Sequence, residues 1–265
     1  MNDNLILIKG AGDLASGVAH RLAICGFPVV MLEVPKPTVI RRTVSFAEAV
    51  FLKKYPVEGI TAKLANSPSE VAEIVNSGKV AVLVDPEWSA ISLLQPAAVI
   101  DAIIAKKNLG TSLSDAPVVI GLGPGYTAGV DVHAVVETQR GHHLGRVIYS
   151  GSAAPNTGVP GEIGGYSTER LLRSPAEGIF HGVLEIGDMV KKGDLIAKVG
   201  ETPLYASIPG VLRGLLRSGL PVTQGFKVGD IDPRYTRDHC FTISDKARSV
   251  AGGALEALIS LQKRR

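Results

Sequence analysis

One stretch constrains this chain more than any other: a short apolar run that breaks into a glycine turn and then a helical pattern, Leu5-Ile-Leu-Ile-Lys-Gly10-Ala-Gly12-Asp-Leu-Ala15-Ser-Gly17. Strand, turn and helix in that order form a phosphate-cradling unit. Gly10 permits the tight turn, Gly12 lets the backbone approach a pyrophosphate, and Ala15 is small enough for close helix-strand packing at the third position of the fingerprint. The helix that follows aims N–H groups and its positive dipole end at an anion. A second strand, 28–32, ends at Glu33, 21 positions beyond Gly12, where an acidic residue meets a ribose hydroxyl. Lys9 and Asp13 add charge on either side of the turn. The competing reading is a unit that keeps its packing glycines and binds nothing.

The chain has 265 residues, enough for about two domains. A hydrophobic share of 45% with 20% charged residues is that of a soluble globular protein. A net charge of +3, with Lys and Arg evenly spread outside the tail Lys263-Arg264-Arg265, excludes nucleic acid as the expected partner. No apolar stretch reaches the ~20 residues needed to span a bilayer, and Met1-Asn-Asp-Asn lacks a signal pattern, so a cytoplasmic location is expected. The two cysteines, Cys25 and Cys240, have no CxxC spacing and support neither a disulfide framework nor a zinc site. His239 beside Cys240 is placed to lower the pKa of that thiol.

The pattern predicts an α/β fold: a Rossmann-like parallel sheet in an N-terminal domain, then a small all-β module and a terminal helix. The boundaries read 1–150 for the cofactor-binding domain, 151–172 for a glycine-rich junction, 173–243 for the β module and 244–265 for the helix. Strands are expected at 4–9, 28–33, 58–62, 80–84, 97–100 and 117–121, with helices after Asp13, at 67–75 and at 41–54. Segments 130–137 and 144–149 flank a hairpin turn and are expected to leave the parallel sheet. In the second half, Gly178, Gly182, Gly187, Val190 and Gly193 recur at an offset of 32 as Gly210, Gly214, Gly219, Val222 and Gly225. That repeat resembles the barrel-sandwich hybrid fold of biotinyl and lipoyl domains. Its linker, 199–208, lacks the lysine that carries their cofactor, which argues against a swinging arm. The final helix is expected to kink near Gly252-Gly253.

Three constellations are candidates for chemistry. The first is the Gly10 loop with Glu33, to which Arg41 and Arg42 bring charge for a ribose phosphate. The second is Gly121-Leu-Gly123-Pro-Gly125-Tyr-Thr127, a glycine-dense loop after a strand whose N–H groups can nest an anion, or which merely needs flexibility. Asp131 and His133 follow it two apart, on one side of a strand. The third is the small-residue junction, where Asn156 and Thr157 offer uncharged hydrogen bonds and Ser150 or Ser152 is a nucleophile only if a base approaches.

Several blocks are too idiosyncratic to arise from fold alone: 8–17, Glu33-Val-Pro-Lys-Pro, 40–50, 121–133, Arg140-Gly-His142-His-Leu-Gly145, Asn156-Thr-Gly-Val-Pro-Gly161 and Asp230-Ile-Asp-Pro-Arg234. Together they resemble the YqeB family across essentially the whole chain. That resemblance implies a role in maturing a selenium-dependent molybdenum hydroxylase, with partial similarity to XdhC-type accessory proteins. The implied ligand is a molybdopterin-type cofactor, the implied partner the hydroxylase apoprotein. From the residues themselves, an NAD(P)-dependent oxidoreductase and a non-catalytic scaffold remain open, an oligomer is compatible, and no residue is assigned as catalytic or metal-binding.

Overall fold

The computed structural model describes residues 4–159 and 161–264. Residues 1–3, read above as lacking a signal pattern, Pro160 of the junction and Arg265 of the basic tail lie outside the described residues. The chain forms two compact units. One comprises residues 1–37, 45–157 and 243–265; the other comprises 38–44 and 158–242.

The first unit opens with β1 (Ile6–Lys9), α1 (Asp13–Ile24) and β2 (Val29–Glu33). There follow α2 (Glu48–Leu52), β3 (Lys54–Val57), β4 (Ile60–Ala65), α3 (Val71–Asn76), β5 (Val80–Val84), α4 (Ala90–Leu94), β6 (Ala98–Asp101) and β7 (Val118–Leu122). Short strands β8 (Thr127–Ala128), β9 (Ala134–Val136), β10 (Val147–Ile148) and β11 (Gly151–Ser152) come next, and α5 (Asp245–Lys263) returns from the far end of the chain. Nine strands make one sheet in the order β10-β9-β7-β6-β1-β2-β5-β4-β3. Its interior strands are apolar on both faces because both faces are covered. Ile6, Leu7 and Ile8 are all fully buried, and Leu5 and Leu7 pack with Val30, Leu32 and Val99 under Val71, Ile74 and Val75 of α3.

This sheet corrects the expected fold class. The prediction was a Rossmann-like parallel sheet beside a barrel-sandwich-hybrid-like module, but the sheet is mixed: β3 is antiparallel to β4 at one edge and β10 to β9 at the other. The segment expected to leave it does not. β9 joins β7 in parallel register, with Ile120 beside Ala134 and Leu122 beside Val136. Between β6 and β7 there is no covering α-helix, only a loop with one 3-10 turn at Leu113–Asp115. The helix expected over 41–54 is broken into a 3-10 turn and α2, because Ser45 Oγ turns inward to donate to Ala11 O at 2.7 Å.

Helix α5 also differs from expectation. It runs without interruption from 245 to 263 and belongs to the first unit, against α1. The contact depends on small residues: a Cβ on Gly17 would sit 2.9 Å from Ala247 Cβ, and one on Gly253 would collide with Gly145 O. Gly253 therefore serves packing, and the helix continues through the pair without a break.

The second unit holds β12 (Leu171–Arg173), β13 (Gly178–Gly182), β14 (Met189–Val190), β15 (Leu195–Val199), β16 (Thr202–Tyr205), β17 (Gly210–Leu215), β18 (Pro221–Val222) and β19 (Lys227–Asp232). The starts of β13, β14 and β15 recur 32 residues later as those of β17, β18 and β19. In place of the expected module there are two four-stranded antiparallel sheets, β12-β19-β17-β14 and β16-β15-β13-β18. Each repeat lends its short strand to the other, β14 to β17 and β18 to β13. Residues 38–44 complete the unit: Leu215 N–H donates to Ile40 O, and Arg42 Nε to Leu215 O at 2.7 Å.

Candidate functional site

The interior strands of the first unit run in one direction, so the loops after β1, β6, β7 and β9 emerge at one edge of the sheet. β1 pairs with both β2 and β6, and chain succession reverses there. Open sheets of this kind bind ligands outside the carboxyl ends of such strands. The loops are also tied to one another, with Ala102 N–H on Lys9 O at 3.0 Å and Gly123 N–H on Val136 O at 2.8 Å.

The glycine turn has the predicted geometry at Gly10, which takes φ +90° with Ile103 Cα only 3.3 Å from where a Cβ would stand. Gly12 is the N-cap of α1 and supplies no side-chain cap. Ala15 is fully buried. Glu33, expected at a ribose, turns onto the turn itself: Oε2 accepts Ala11 N–H and Oε1 accepts Val34 N–H, each at 2.8 Å. Burial pushes its carboxyl up, against the lowering effect of those two amides. The Ala11 carbonyl takes Ser16 Oγ, Ser45 Oγ and Ala47 N–H, so the loop is braced from several sides.

The glycines of the second loop answer to packing. A Cβ on Gly121 would enter the Tyr126 ring, one on Gly123 would collide with Thr138 Oγ1, and one on Gly125 would stand 2.7 Å from the Lys107 backbone. Asp131 Oδ2 accepts Thr127 N–H at 2.8 Å and closes a backbone turn, whereas His133 Nδ1 accepts Val119 N–H of β7 at 3.0 Å, so both side chains are engaged with backbone amides. Asn156 and Thr157 are exposed. Ser150 and Ser152 are exposed as well, the latter sharing a hydrogen bond with Thr127 Oγ1 at 3.1 Å. Among the described residues no three His, Cys, Asp or Glu side chains are grouped to hold a metal ion.

Arg41 and Arg42 belong to the second unit, where they serve as straps. Arg41 Nη2 donates to His239 O and Thr242 O, and Arg42 bonds Leu215 O as described. Cys240 is buried there with its Sγ toward Leu212 O, and burial pushes its thiol up, contrary to the activation expected from His239. His239 Nδ1 instead stands 3.9 Å from Asp232 Oδ2.

Two clusters at the sheet edge escaped the sequence reading. In the first, Lys9 is 1% exposed and donates to Thr111 Oγ1 and Asp115 Oδ2, both at 2.8 Å, with its ammonium 4.3 Å from the Trp88 ring centre. Thr111 Oγ1 passes on to the fully buried Asp101 at 2.6 Å. Burial, then the charge and hydrogen bond of Asp101, push the Tyr126 hydroxyl far above its ordinary range. In the second, Lys246 on the first turn of α5 sits in a mixed field. Burial and Arg140 hold its ammonium below the usual lysine range, Lys106 acts the same way, and Asp13 and Glu137 oppose them. Arg140 is anchored on Asp245 by two bonds of 2.7 and 3.0 Å, and Glu137 by Gln139 and Ala154 N–H, each at 2.7 Å. A lysine closing an apolar strand was the one available signal for the first cluster. The second joins residues more than a hundred positions apart.

No family model matches the chain. A curated relative from Escherichia coli strain K12, described as uncharacterized protein YqeB, is 56% identical over 257 residues, which is 97% of this chain. The chain belongs to the YqeB family. It spans 48%, about half, of that relative's length. Among solved structures, the product-bound ectoine utilization protein EutE from Ruegeria pomeroyi is similar over 86% of this chain and 84% of its own, at 14% identity and a TM-score of 0.27. An aspartoacylase family protein from Mesorhizobium loti aligns over 87% and 85%, at 13% identity and a TM-score of 0.29. Likeness this slight carries no argument about this YqeB-family chain. No described helix is long and apolar enough to cross a membrane.

Proposed function

We propose that this chain is an accessory protein in the maturation of a selenium-dependent molybdenum hydroxylase, holding a phosphate-bearing molybdenum cofactor at the carboxyl edge of the nine-stranded sheet. The observation that carries the reading is electrostatic: α1 begins at a glycine without a side-chain cap, and Asp13 on its first turn interacts with Lys246, on whose ammonium Arg140 and Lys106 also act. A helix start of that kind takes phosphate or pyrophosphate oxygens. Asp13 and Glu137 balance the cations, so the site is not a bare positive patch, and a bound phosphate competes with them for Lys246. The donor set thus fits the phosphate end of molybdopterin or its dinucleotide. The chemistry of the metal belongs to the cofactor. What these residues would do is bind, shield and release it, which requires no catalytic residue.

A nicotinamide dinucleotide is the alternative occupant of the same edge, favoured by the position of Glu33 at the end of β2. Anaerobic purification from cells that make molybdenum cofactor, followed by denaturation and mass spectrometry, separates the two. A released pterin supports the proposal, and its loss in Lys246→Met places it at this edge. A released nicotinamide dinucleotide, or normal hydroxylase activity in cells lacking the protein, overturns it.

A further inference from the structure

The loop between β6 and β7 leaves part of the sheet without a helix, and a cavity of about 1030 Å³ opens there. Its size suits an organic ligand. Lys9, Trp88, Gln95, Ser114, Asp115 and Gln262 are among the residues that line it. Two features mark it as more than a packing gap. Trp88 holds φ +57°, a left-handed conformation that bulky side chains rarely adopt and that concentrates at functional sites. Lys9, almost wholly buried at the cavity wall, has its donors committed to Thr111 Oγ1, Asp115 Oδ2 and the face of the Trp88 ring. The ammonium is thus satisfied, and what it does is fix Asp115. That carboxylate is partly exposed, with a side-chain accessibility of 18%, and its Oδ1 has no hydrogen-bond partner among the described residues.

We propose that this cavity binds a planar 2-amino-4-oxo heteroaromatic ring, the head shared by pterins and guanine, with Asp115 reading the ring's amino and N–H donors beside Trp88. An ionised carboxylate only accepts hydrogen bonds, and its two oxygens offer about four lone-pair sites, so one bond from Lys9 leaves room for two adjacent donors. The 2-amino-4-oxo ring presents such a pair side by side. Adenine sets a ring-nitrogen lone pair beside its amino group, and that lone pair repels a carboxylate. Trp88 supplies the aromatic surface on which such rings pack, and the Gln95 and Gln262 amides at the wall can donate to the ring carbonyl. This rests on the proposed function only in joining the ring to the phosphate held at the α1 start; Lys9 immediately precedes Gly10 in the chain.

The test uses the chain's single tryptophan, Trp88, as its own reporter. The full chain is titrated with guanosine, inosine, adenosine and 6-hydroxymethylpterin, none of which carries phosphate. Saturable change in Trp88 fluorescence with guanosine or the pterin is expected, with inosine, which lacks the amino group, roughly tenfold weaker or worse and adenosine without effect. Tighter binding of the pterin identifies the source as a pterin; tighter guanosine identifies a guanine nucleotide. Asp115→Asn is expected to bring guanosine and inosine within about twofold of each other. Because Asp115 also neutralises buried Lys9, the guanosine-inosine comparison on the unaltered chain stands even if that variant fails to fold. Equal affinity for guanosine and inosine, or no saturable response to either guanosine or the pterin, overturns the proposal. Discrimination between guanosine and inosine in a protein that carries no molybdenum cofactor leaves this cavity assignment intact while the proposed function falls.

Discussion

Glu33 closes the glycine turn with its own carboxylate: its Oε2 accepts Ala11 N–H at 2.8 Å while Oε1 accepts Val34 N–H at the same distance. The acidic residue expected to read a ribose is therefore also the brace of the loop that would hold the phosphate. Removing it takes the side-chain acceptor from the Ala11 and Val34 amides. We expect Glu33→Ala to cost about 1–3 kcal/mol of stability, measured as a shift in the urea midpoint at unchanged slope. A midpoint equal to that of the unaltered chain would show that water replaces the carboxylate without penalty.

The two neighbouring glycines of α5 make opposite predictions. Gly252→Ala removes a poor helix former from a site whose nearest neighbour to a new Cβ is Arg21 Nη1 at 3.7 Å, so it should stabilise by about 0.5–1 kcal/mol. Gly253→Ala drives a methyl group into Gly145 O and to 2.8 Å from Val136 Cγ1, so the same propensity gain is outweighed and the variant should lose about 1–3 kcal/mol. Thermal melts of the pair decide it. Equal shifts in one direction would mean that α5 does not approach this turn as described.

Asp232 should govern part of the acid limb of stability. Burial works to raise its pKa, but Arg234, through two side-chain bonds of 2.9 and 2.6 Å and its own N–H, and the more distant Arg213 hold it at about 2. A carboxylate whose folded pKa lies below its unfolded value near 3.9 adds stability that is complete above that value and is lost as pH falls through about 2. Asp232→Asn should therefore flatten the stability profile between about pH 4 and pH 2, in denaturant titrations at each pH. An unchanged slope would assign the acid transition to other groups.

Lys246 predicts the proton balance of ligand binding. Its ammonium is held below the usual lysine range by burial, Arg140 and Lys106, and a phosphate brought beside it favours the charged form. At a pH between the free and bound values, binding should take up a fraction of a proton and should strengthen as pH falls. Calorimetry of sulfate binding, an anion with no titratable proton of its own in this range, in buffers of different ionisation enthalpy measures this. Proton release, or heats independent of buffer, would place the anion elsewhere.

What the sequence made legible was local. The buried strands announced themselves as uninterrupted Val, Ile and Leu runs, and the 32-residue period of the second half was visible because each repeat keeps its turn glycines. The edges were not legible: β3 carries Pro56, which argues against a strand unless the strand lies at an edge. Nor was the reason for the glycines in 121–125, since Thr138 and the Lys107 backbone, which exclude a Cβ there, lie on other loops. Arg41 and Arg42 followed the glycine turn closely enough in sequence to suggest a shared ligand, yet the fold places them in the second unit and commits them to backbone carbonyls. The candidate site was half visible. Its glycine turn is a pattern of neighbours, whereas the Lys9 and Lys246 clusters are assembled across distances no window of sequence spans.

That α1 and α5 share a face has a consequence in time. On the ribosome, β1 to β7 and then all of the second unit are made before α5 emerges, and Gly17 cannot meet Ala247 until then. Until α5 has been made, the face of α1 that receives Ala247 has no partner. Closing that contact joins Gly17 to a residue 230 positions further along the chain, the kind of non-local pairing that slows folding.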